Sequence, residues 1–203
     1  MMNPLTVVTL GTGGEAFLTR GALRALKDGG RVVLRTGRHP LSDFLQSEGI
    51  AFETLDPLYD ECGDFDTFNR AAAVRLLSMC ESGPVCYAVS DPAFDNTVMT
   101  LQRLKPRGAD VRVLPGVSHA DRCLALLELQ SPSVRLYAAA EFETARVSPL
   151  EPLLLCELHS RECAGICKLK LMELLPEETP ITFITGDGAT GELRSAPIPL
   201  FEL

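Results

Sequence analysis

Apolar residues in the first part of the chain fall into short runs, separated by stretches with helical periodicity. The run at 5–10 lacks the polar alternation of a half-exposed strand, which favours a strand buried on both faces, as in a parallel sheet. Further apolar runs predict strands at 31–35, 84–89 and 110–114. The spacing also predicts helices at 20–28, from a cap at Asp66 to Cys80, and at 120–129. This is the pattern of an α/β protein.

The pattern changes near residue 131, where a strand-rich half begins. Strands are predicted there at 134–140, 152–158, 181–186 and 192–198, with one helix at 161–175 that Pro176 ends. We therefore predict two domains, an α/β domain with a parallel sheet at 1–130 and a mixed-sheet α/β domain at 131–203. The acidic stretch 56–66 lacks the ligand spacing of an EF-hand, so we expect a solvated connection rather than a calcium loop.

A glycine-rich loop, Gly11-Thr12-Gly13-Gly14, follows the first strand. Glycine allows positive φ and lets a ligand approach the backbone closely, and Thr19 is placed to cap the helix that follows. The loop is not a P-loop, because no Gly-Lys-Ser/Thr follows, and it lacks the third glycine of a dinucleotide fingerprint. A tight turn without any ligand is the competing interpretation.

Three other turns follow predicted strands, and in open α/β sheets ligands bind outside the carboxyl ends of the strands. The turns contain, in chain order, Arg38-His39-Pro40, Ser90-Asp91-Pro92 and Pro115-Gly116-x-Ser118. Asp91 would either face a cationic part of a ligand or cap a helix that begins near Pro92. His39 would act either as an acid–base group or as a residue that structures its loop. His119 is expected to face the surface, after Ser118 as a helix cap.

Four segments, GTGGEAFLT, RVVLRTGRHP, VCYAVSDPAFDN and VRVLPGVSHAD, together resemble the tetrapyrrole methylase family in their order and spacing. The resemblance covers essentially all 203 residues and is closest to the version fused ahead of MazG nucleotide pyrophosphohydrolases, including the terminal PLFEL. It implies two α/β domains with a cleft between them, S-adenosylmethionine as cofactor, a small-molecule methyl acceptor that could be tetrapyrrole-like, and a homodimer. The implied cofactor-binding residues are Gly11, Thr12, Gly13, Gly14, Ser90, Asp91, Pro92, Pro115, Gly116 and Ser118.

Arg38 and His39, on the turn after the second strand and at the same sheet edge as the glycine loop, are the candidates for binding the acceptor, and the catalytic residue is left unassigned. Two departures from the family pattern are Ser90, where the family has glycine, and Gly14-Glu15, where it commonly has a Pro-Gly-Asp-like loop. They favour an alternative, in which the domain has lost catalysis and serves a MazG-type nucleoside triphosphate pyrophosphohydrolase. A plain scaffold is disfavoured because three turns point to one cleft.

Composition restricts the partners. The net charge of −8 argues against nucleic acid or an anionic membrane as partner and, more mildly, against a polycarboxylate substrate, since Arg35, Arg38 and His39 are the local cations. Seven cysteines without a disulfide framework, and no apolar span or leader, predict a cytoplasmic protein. The cluster Cys156, His159, Cys163 and Cys167 lacks paired zinc-ligand spacing, so we expect buried thiols and no metal.

Overall fold

The computed structural model describes residues 3–105, 108–128, 133–187 and 190–203. They form two compact units, Met1–Ser118 with Gly188–Gly191 and His119–Asp187 with Glu192–Leu203. The domain boundary predicted between residues 130 and 131 lies outside the described residues. No helix in the described part of the chain is both long enough and apolar enough to cross a bilayer.

The first unit is built on a five-stranded parallel sheet with the strand order β3-β2-β4-β1-β5. Its strands are β1 (Leu5–Thr9), β2 (Arg31–Leu34), β3 (Phe52–Thr54), β4 (Val85–Val89) and β5 (Val111–Leu114). Val7 pairs with Tyr87 on one side and with Val113 on the other, so β1 lies in the interior of the sheet. The prediction of a parallel sheet with a doubly buried first strand is confirmed.

Helices cover both faces of this sheet. They are α1 (Arg20–Asp28), α2 (Ser42–Ser47), α3 (Asp56–Glu61), α4 (Phe65–Met79) and α5 (Asn96–Leu104). Because side chains alternate along a strand, Val7 joins the core beneath α4 and α5, while Val8 joins the core beneath α1 and α2. Both valines are fully buried. All strands therefore run in one direction between two helical layers, and their carboxyl ends share one edge.

Several boundaries differ from the sequence predictions. The acidic stretch at 56–66 contains α3, with Pro57 in its first turn and Leu58 buried, and the first residues of α4, rather than only a solvated connection. Helix α4 is capped by Asp64, not Asp66, since the Asp64 side chain accepts the Thr67 N–H at 2.7 Å. Strand β3 and helix α2 were not predicted, because each is too short to show a periodic pattern.

The second unit contains helices α6 (His119–Leu126) and α7 (Arg161–Met172) and two separate pairs of strands. The parallel pair is β6 (Arg135–Ala138) with β7 (Leu153–Cys156), and the antiparallel pair is β8 (Pro180–Gly186) with β9 (Leu193–Pro199). The predicted helix at 161–175 ends earlier, at Met172. The core of this unit gathers around Phe142, Cys167 and Leu200.

Candidate functional site

The glycine loop leaves β1 at the carboxyl edge of the first unit's sheet. Its first residues extend the pairing with β4, because Leu10 N–H donates to Val89 O at 2.8 Å and Gly11 N–H donates to Ser90 O at 3.0 Å. Gly11 has φ of 80°, a left-handed conformation that strains any residue with a Cβ. The loop is therefore joined at its start to the turn that follows β4.

The rest of the loop is closely packed in one part and open in another. Gly13 is buried, and Gly191 approaches it so closely that a Cβ on Gly191 would lie 2.4 Å from the Gly13 Cα. A Cβ on Gly14, in contrast, would have no atom within 4 Å. After a 3-10 turn, Thr19 caps α1 by accepting the Ala22 N–H at 3.1 Å, as predicted. There is therefore open space beside the loop backbone at Gly14.

The turn after β4 contains Ser90, Asp91 and Pro92. Asp91 is only 6% exposed, and its carboxylate accepts the Ala93 N–H at 3.0 Å, while its carbonyl accepts the Phe94 N–H at 3.2 Å. These bonds close a turn and not a helix. The prediction that α5 begins near Pro92 is wrong, since the helix starts at Asn96. Asp91 thus places a buried carboxylate at the carboxyl edge of β4, four residues before the true helix cap.

The turn after β5 passes unusually close to the end of β1. A Cβ on Gly116 would lie 2.7 Å from the Thr9 Cβ, so only glycine fits without displacing the strand. Thr9 also donates through Oγ1 to Leu114 O at 3.0 Å. Pro115 is exposed, whereas Gly116 and Ser118 are half-buried, and Ser118 directly precedes α6. The structure therefore brings the turns after β1, β4 and β5 together within the first unit.

His39, in the loop after β2, contacts the glycine loop directly. Its Nδ1 accepts the Leu41 N–H at 3.1 Å, so that nitrogen carries no proton. The proton of the neutral ring is then on Nε2, which donates to Gly11 O at 2.9 Å. Both ring nitrogens are thus engaged in holding backbone, which supports the loop-structuring interpretation of His39.

The neighbouring Arg38 is exposed and lies near Asp56, a residue of α3. The Asp56 carboxylate accepts the Gly37 N–H at 2.8 Å. Burial alone would raise the pKa of Asp56, but this backbone bond, with hydroxyl groups and the charge of Arg38, lowers it below the ordinary value of 3.8. Asp56 therefore remains ionised at neutral pH and fixes the start of the loop that carries His39.

Arg35, which was considered as a local cation for a carboxylate ligand, is instead part of a buried polar cluster. Its guanidinium pairs with Asp95 at 3.0 Å and also donates to Thr97 and Asn69. Sequence reasoning missed this cluster, because Asp95 has the sequence of a simple helix cap and Asn69 lies inside an apolar helix pattern. The one signal in the sequence that could have indicated the cluster was Asn69, a polar residue at a position where the helical pattern of α4 expects an apolar one.

Two open cavities lie among the described residues of the second unit. One, of about 440 Å³, is bordered by Tyr137 and Glu141, and the other, of about 260 Å³, is bordered by His159 and Cys163. Cys167 donates to Ala139 O at 3.6 Å, and its burial, with the neighbouring Cys163, raises its pKa to about 11. Within the described residues, no three His, Cys, Asp or Glu side chains are grouped so that they could hold a metal ion.

The turns after β1, β4 and β5 converge at the carboxyl ends of a parallel α/β sheet, which is where proteins of this class generally bind their ligands. The family model for Tetrapyrrole (Corrin/Porphyrin) Methylases matches residues 4–186. The chain belongs to this family. The uncharacterized protein YabN of Bacillus subtilis (strain 168) is 29% identical over 209 residues, which span all of this chain and 42% of YabN.

Solved structures share the fold. A uroporphyrin-III-C-methyltransferase from Thermus thermophilus has a TM-score of 0.69 at 23% identity and is covered over 86% of its length. A putative cobalamin synthesis related protein (CobF) from Corynebacterium diphtheriae has a TM-score of 0.63 at 17% identity and 88% coverage. Both matches cover the whole of this chain. At these identities they establish a common architecture.

Proposed function

We propose that this chain is a methyltransferase that binds S-adenosylmethionine at the joined turns of Gly11, Asp91 and Gly116 and methylates a small-molecule acceptor. The observation that carries the proposal is the direct link from Gly11 to Ser90 at 3.0 Å, in a chain of the methylase family. This link places a glycine backbone and a buried carboxylate at the same edge of the sheet. The family's tetrapyrroles give one acceptor class to test.

The residues at this edge fit S-adenosylmethionine in two respects. The open space beside Gly14 allows a ligand to lie against the loop backbone. The Asp91 carboxylate is buried, so it would interact strongly with the positive charge that S-adenosylmethionine carries on its sulfonium and amino groups. Backbone N–H and C=O groups of the loop would provide the remaining polar contacts.

When bound, S-adenosylmethionine supplies a methyl group on a positively charged sulfur, which leaves as a neutral thioether while an acceptor lone pair bonds to the methyl carbon. The chain's contribution is to orient the two reactants, and orientation lowers a barrier by about 7–11 kcal/mol in favourable cases. His39 is held as a neutral ring by Gly11 and Leu41. Its role in the proposal is therefore to fix the loop and not to transfer a proton.

Calorimetric titration with S-adenosylmethionine and with S-adenosylhomocysteine tests the proposal. We expect micromolar binding of both. Asp91→Asn keeps an acceptor for Ala93 but removes the charge, and we expect a loss of affinity of about tenfold or more. A loss confined to S-adenosylmethionine would place Asp91 near the sulfonium, whereas an equal loss for both ligands would place it near the amino group.

The matched control is Asp110→Asn, because Asp110 is an aspartate just before β5, exposed and paired with Arg112. Its replacement should leave both affinities unchanged. The absence of heat and of any thermal shift at millimolar ligand would refute the methyltransferase proposal. An acceptor screen follows only after binding is established.

The second candidate is a non-catalytic or regulatory domain that accompanies a MazG-type nucleoside triphosphate pyrophosphohydrolase. Two features of the sequence favour it: Ser90 stands where the family has glycine, and Gly14-Glu15 stands where the family commonly has a Pro-Gly-Asp-like loop. Ligand binding without methyl transfer to any acceptor would support it. The homodimer implied by the family resemblance is likewise a proposal, and light scattering during gel filtration tests it.

A further inference from the structure

A cluster of buried polar side chains lies directly behind the turn that carries Asp91. The Arg35 Nη1 donates to Asp95 Oδ2 at 3.0 Å, to Thr97 Oγ1 at 3.0 Å and to Asn69 Oδ1 at 3.3 Å. The three acceptor residues are at most 6% exposed, and the Arg35 side chain is 24% exposed. Arg35 directly follows β2, so one guanidinium nitrogen joins the end of this strand to α4 and to the start of α5.

Arg35 and Asp95 carry opposite charges that balance each other, and Arg35 keeps its charge at neutral pH. Burial by itself would lower the pKa of Arg35, but the charge of Asp95 and the interactions with Tyr87 and Tyr59 together outweigh it, so the pKa is raised and Arg35 stays protonated. The guanidinium carbon also lies 4.9 Å from the centre of the Phe68 ring. Removing one member of such a pair leaves an unpaired buried charge, which is costly.

Asp95 connects this cluster to the candidate site. Its Oδ1 caps α5 by accepting the Val98 N–H at 2.9 Å, while its Oδ2 accepts hydrogen bonds from the Arg35 guanidinium and the Tyr87 hydroxyl. The turn with Asp91 is therefore held at both ends. At its start Ser90 O accepts the Gly11 N–H, and at its end Asp95 is held by Arg35.

We propose that Arg35 is a positioning residue for the donor site, which acts through Asp95 to fix the turn that carries the Asp91 carboxylate. This inference rests on the proposed binding of S-adenosylmethionine. Arg35 itself does not touch the ligand. Its loss lets the turn at 90–94 move, so that Asp91 no longer presents its carboxylate in one place.

The test compares Arg35→Met and Arg35→Lys with the control Arg31→Met. Arg31 is the first residue of β2, the strand that Arg35 directly follows; it pairs with Glu53, but it is exposed and lies at the amino end of the strand. We expect Arg35→Met to weaken S-adenosylmethionine binding about tenfold and Arg31→Met to leave it unchanged. Arg35→Lys keeps the charge with fewer fixed donors and should recover part of the affinity.

Hydrogen exchange in the absence of ligand measures directly whether the turn at 90–94 stays closed. The amides of Ala93 and Phe94 donate to Asp91, so their hydrogen-exchange protection reports whether the turn is closed. We expect protection to fall in Arg35→Met and to persist in Arg31→Met. If Arg35→Met does not fold, Asp95→Asn is the second variant, because it keeps an acceptor for Val98 while removing the charge that holds Arg35.

A double-mutant cycle with Asp91→Asn separates positioning from a general loss of structure. If Arg35 acts through Asp91, the affinity loss in the double variant is smaller than the product of the two single losses. Wild-type affinity in a folded Arg35→Met variant, or fully independent losses, would overturn the inference. If the wild-type protein itself binds no S-adenosylmethionine, the proposed function fails, and unchanged exchange at Ala93 and Phe94 would then refute the positioning of the turn as well.

Discussion

His39 gives the most specific test of how the candidate site is held together. Its ring joins two loops of the first unit, since Nε2 donates to Gly11 O at 2.9 Å and Nδ1 accepts the Leu41 N–H at 3.1 Å. A neutral hydrogen bond contributes about 0.5–1.5 kcal/mol net. We therefore expect His39→Leu, which removes both bonds, to lower the free energy of unfolding by about 1–3 kcal/mol.

Two conservative variants separate the contribution of the bond to Leu41 from that of the bond to Gly11. The side-chain oxygen of Asn lies near the position of Nδ1, so His39→Asn keeps an acceptor for Leu41 but loses the donor to Gly11. The side-chain nitrogen of Gln reaches towards the position of Nε2, so His39→Gln keeps the donor and loses the acceptor. Each should cost about half of the loss in His39→Leu. Only His39→Asn and His39→Leu should also weaken ligand binding at the glycine loop.

Urea unfolding measures the stabilities, and long-range ¹⁵N–¹H correlation measures the tautomer. The control is His159→Asn, because His159 is exposed and should change the free energy of unfolding by less than about 0.5 kcal/mol. A proton on Nδ1 of His39 at neutral pH would refute the assignment of donor and acceptor. Unfolding of His39→Leu at the wild-type urea concentration would refute the structural role altogether.

Two further predictions concern the turns beside the glycine loop. Gly116→Ala places a Cβ 2.7 Å from the Thr9 Cβ and should lower the free energy of unfolding in urea by about 1–3 kcal/mol. Gly14→Ala, whose new Cβ would have no atom within 4 Å, should lower it by less than about 0.5 kcal/mol. Equal losses in the two variants would contradict the close approach of Gly116 to Thr9. The pKa of Asp56 is depressed in the folded state, so its stabilisation is fully present above the unfolded value of 3.8 and is lost as the pH falls through the lower folded value. Relative to Asp56→Asn, which does not titrate, the wild type should therefore lose stability over that acid range, and parallel stability curves would contradict the assignment.

The pattern of neighbouring residues predicted those elements whose structure depends mainly on their own sequence. The unalternating run at 5–10 predicts a strand buried on both faces, and Val7 and Val8 are fully buried. The prediction for α1 agrees with the structure at both ends, because Thr19 is a good cap and the helix has one apolar face. In such cases the sequence neighbours and the packing favour the same structure.

The start of α5 shows why other boundaries were not predictable. Asp91 and Asp95 are both followed by residues that suit a first helical turn, and an aspartate before proline is the stronger local signal. The structure selects Asp95, which pairs with Arg35 and contacts Tyr87, residues that are distant in the chain. The choice of helix cap is therefore made by a tertiary ion pair, which no local pattern contains.

For the candidate site, too, local pattern predicts one part and long-range contacts determine the rest. Its location at the carboxyl ends of the strands could be predicted, because a parallel sheet brings its turns to one edge. The contacts that hold the site together could not, since His39 meets Gly11 across 28 residues and Gly116 meets Thr9 across a longer separation. Those pairings depend on strand order, and the sequence alone does not give the order β3-β2-β4-β1-β5.

The strand order also determines what charge the loops can offer a ligand. Three cationic candidates were predicted at the sheet edge that carries the glycine loop, and in the structure each of them interacts with other groups of the chain. The charge of Arg35 is paired with Asp95, His39 is neutral in its hydrogen-bonded form, and exposed Arg38 lies near the ionised Asp56. Together with the buried Asp91 carboxylate, these residues contribute little net positive charge to this edge of the first unit. Such an environment stabilises a cationic methyl donor better than it stabilises an acceptor with many carboxylates.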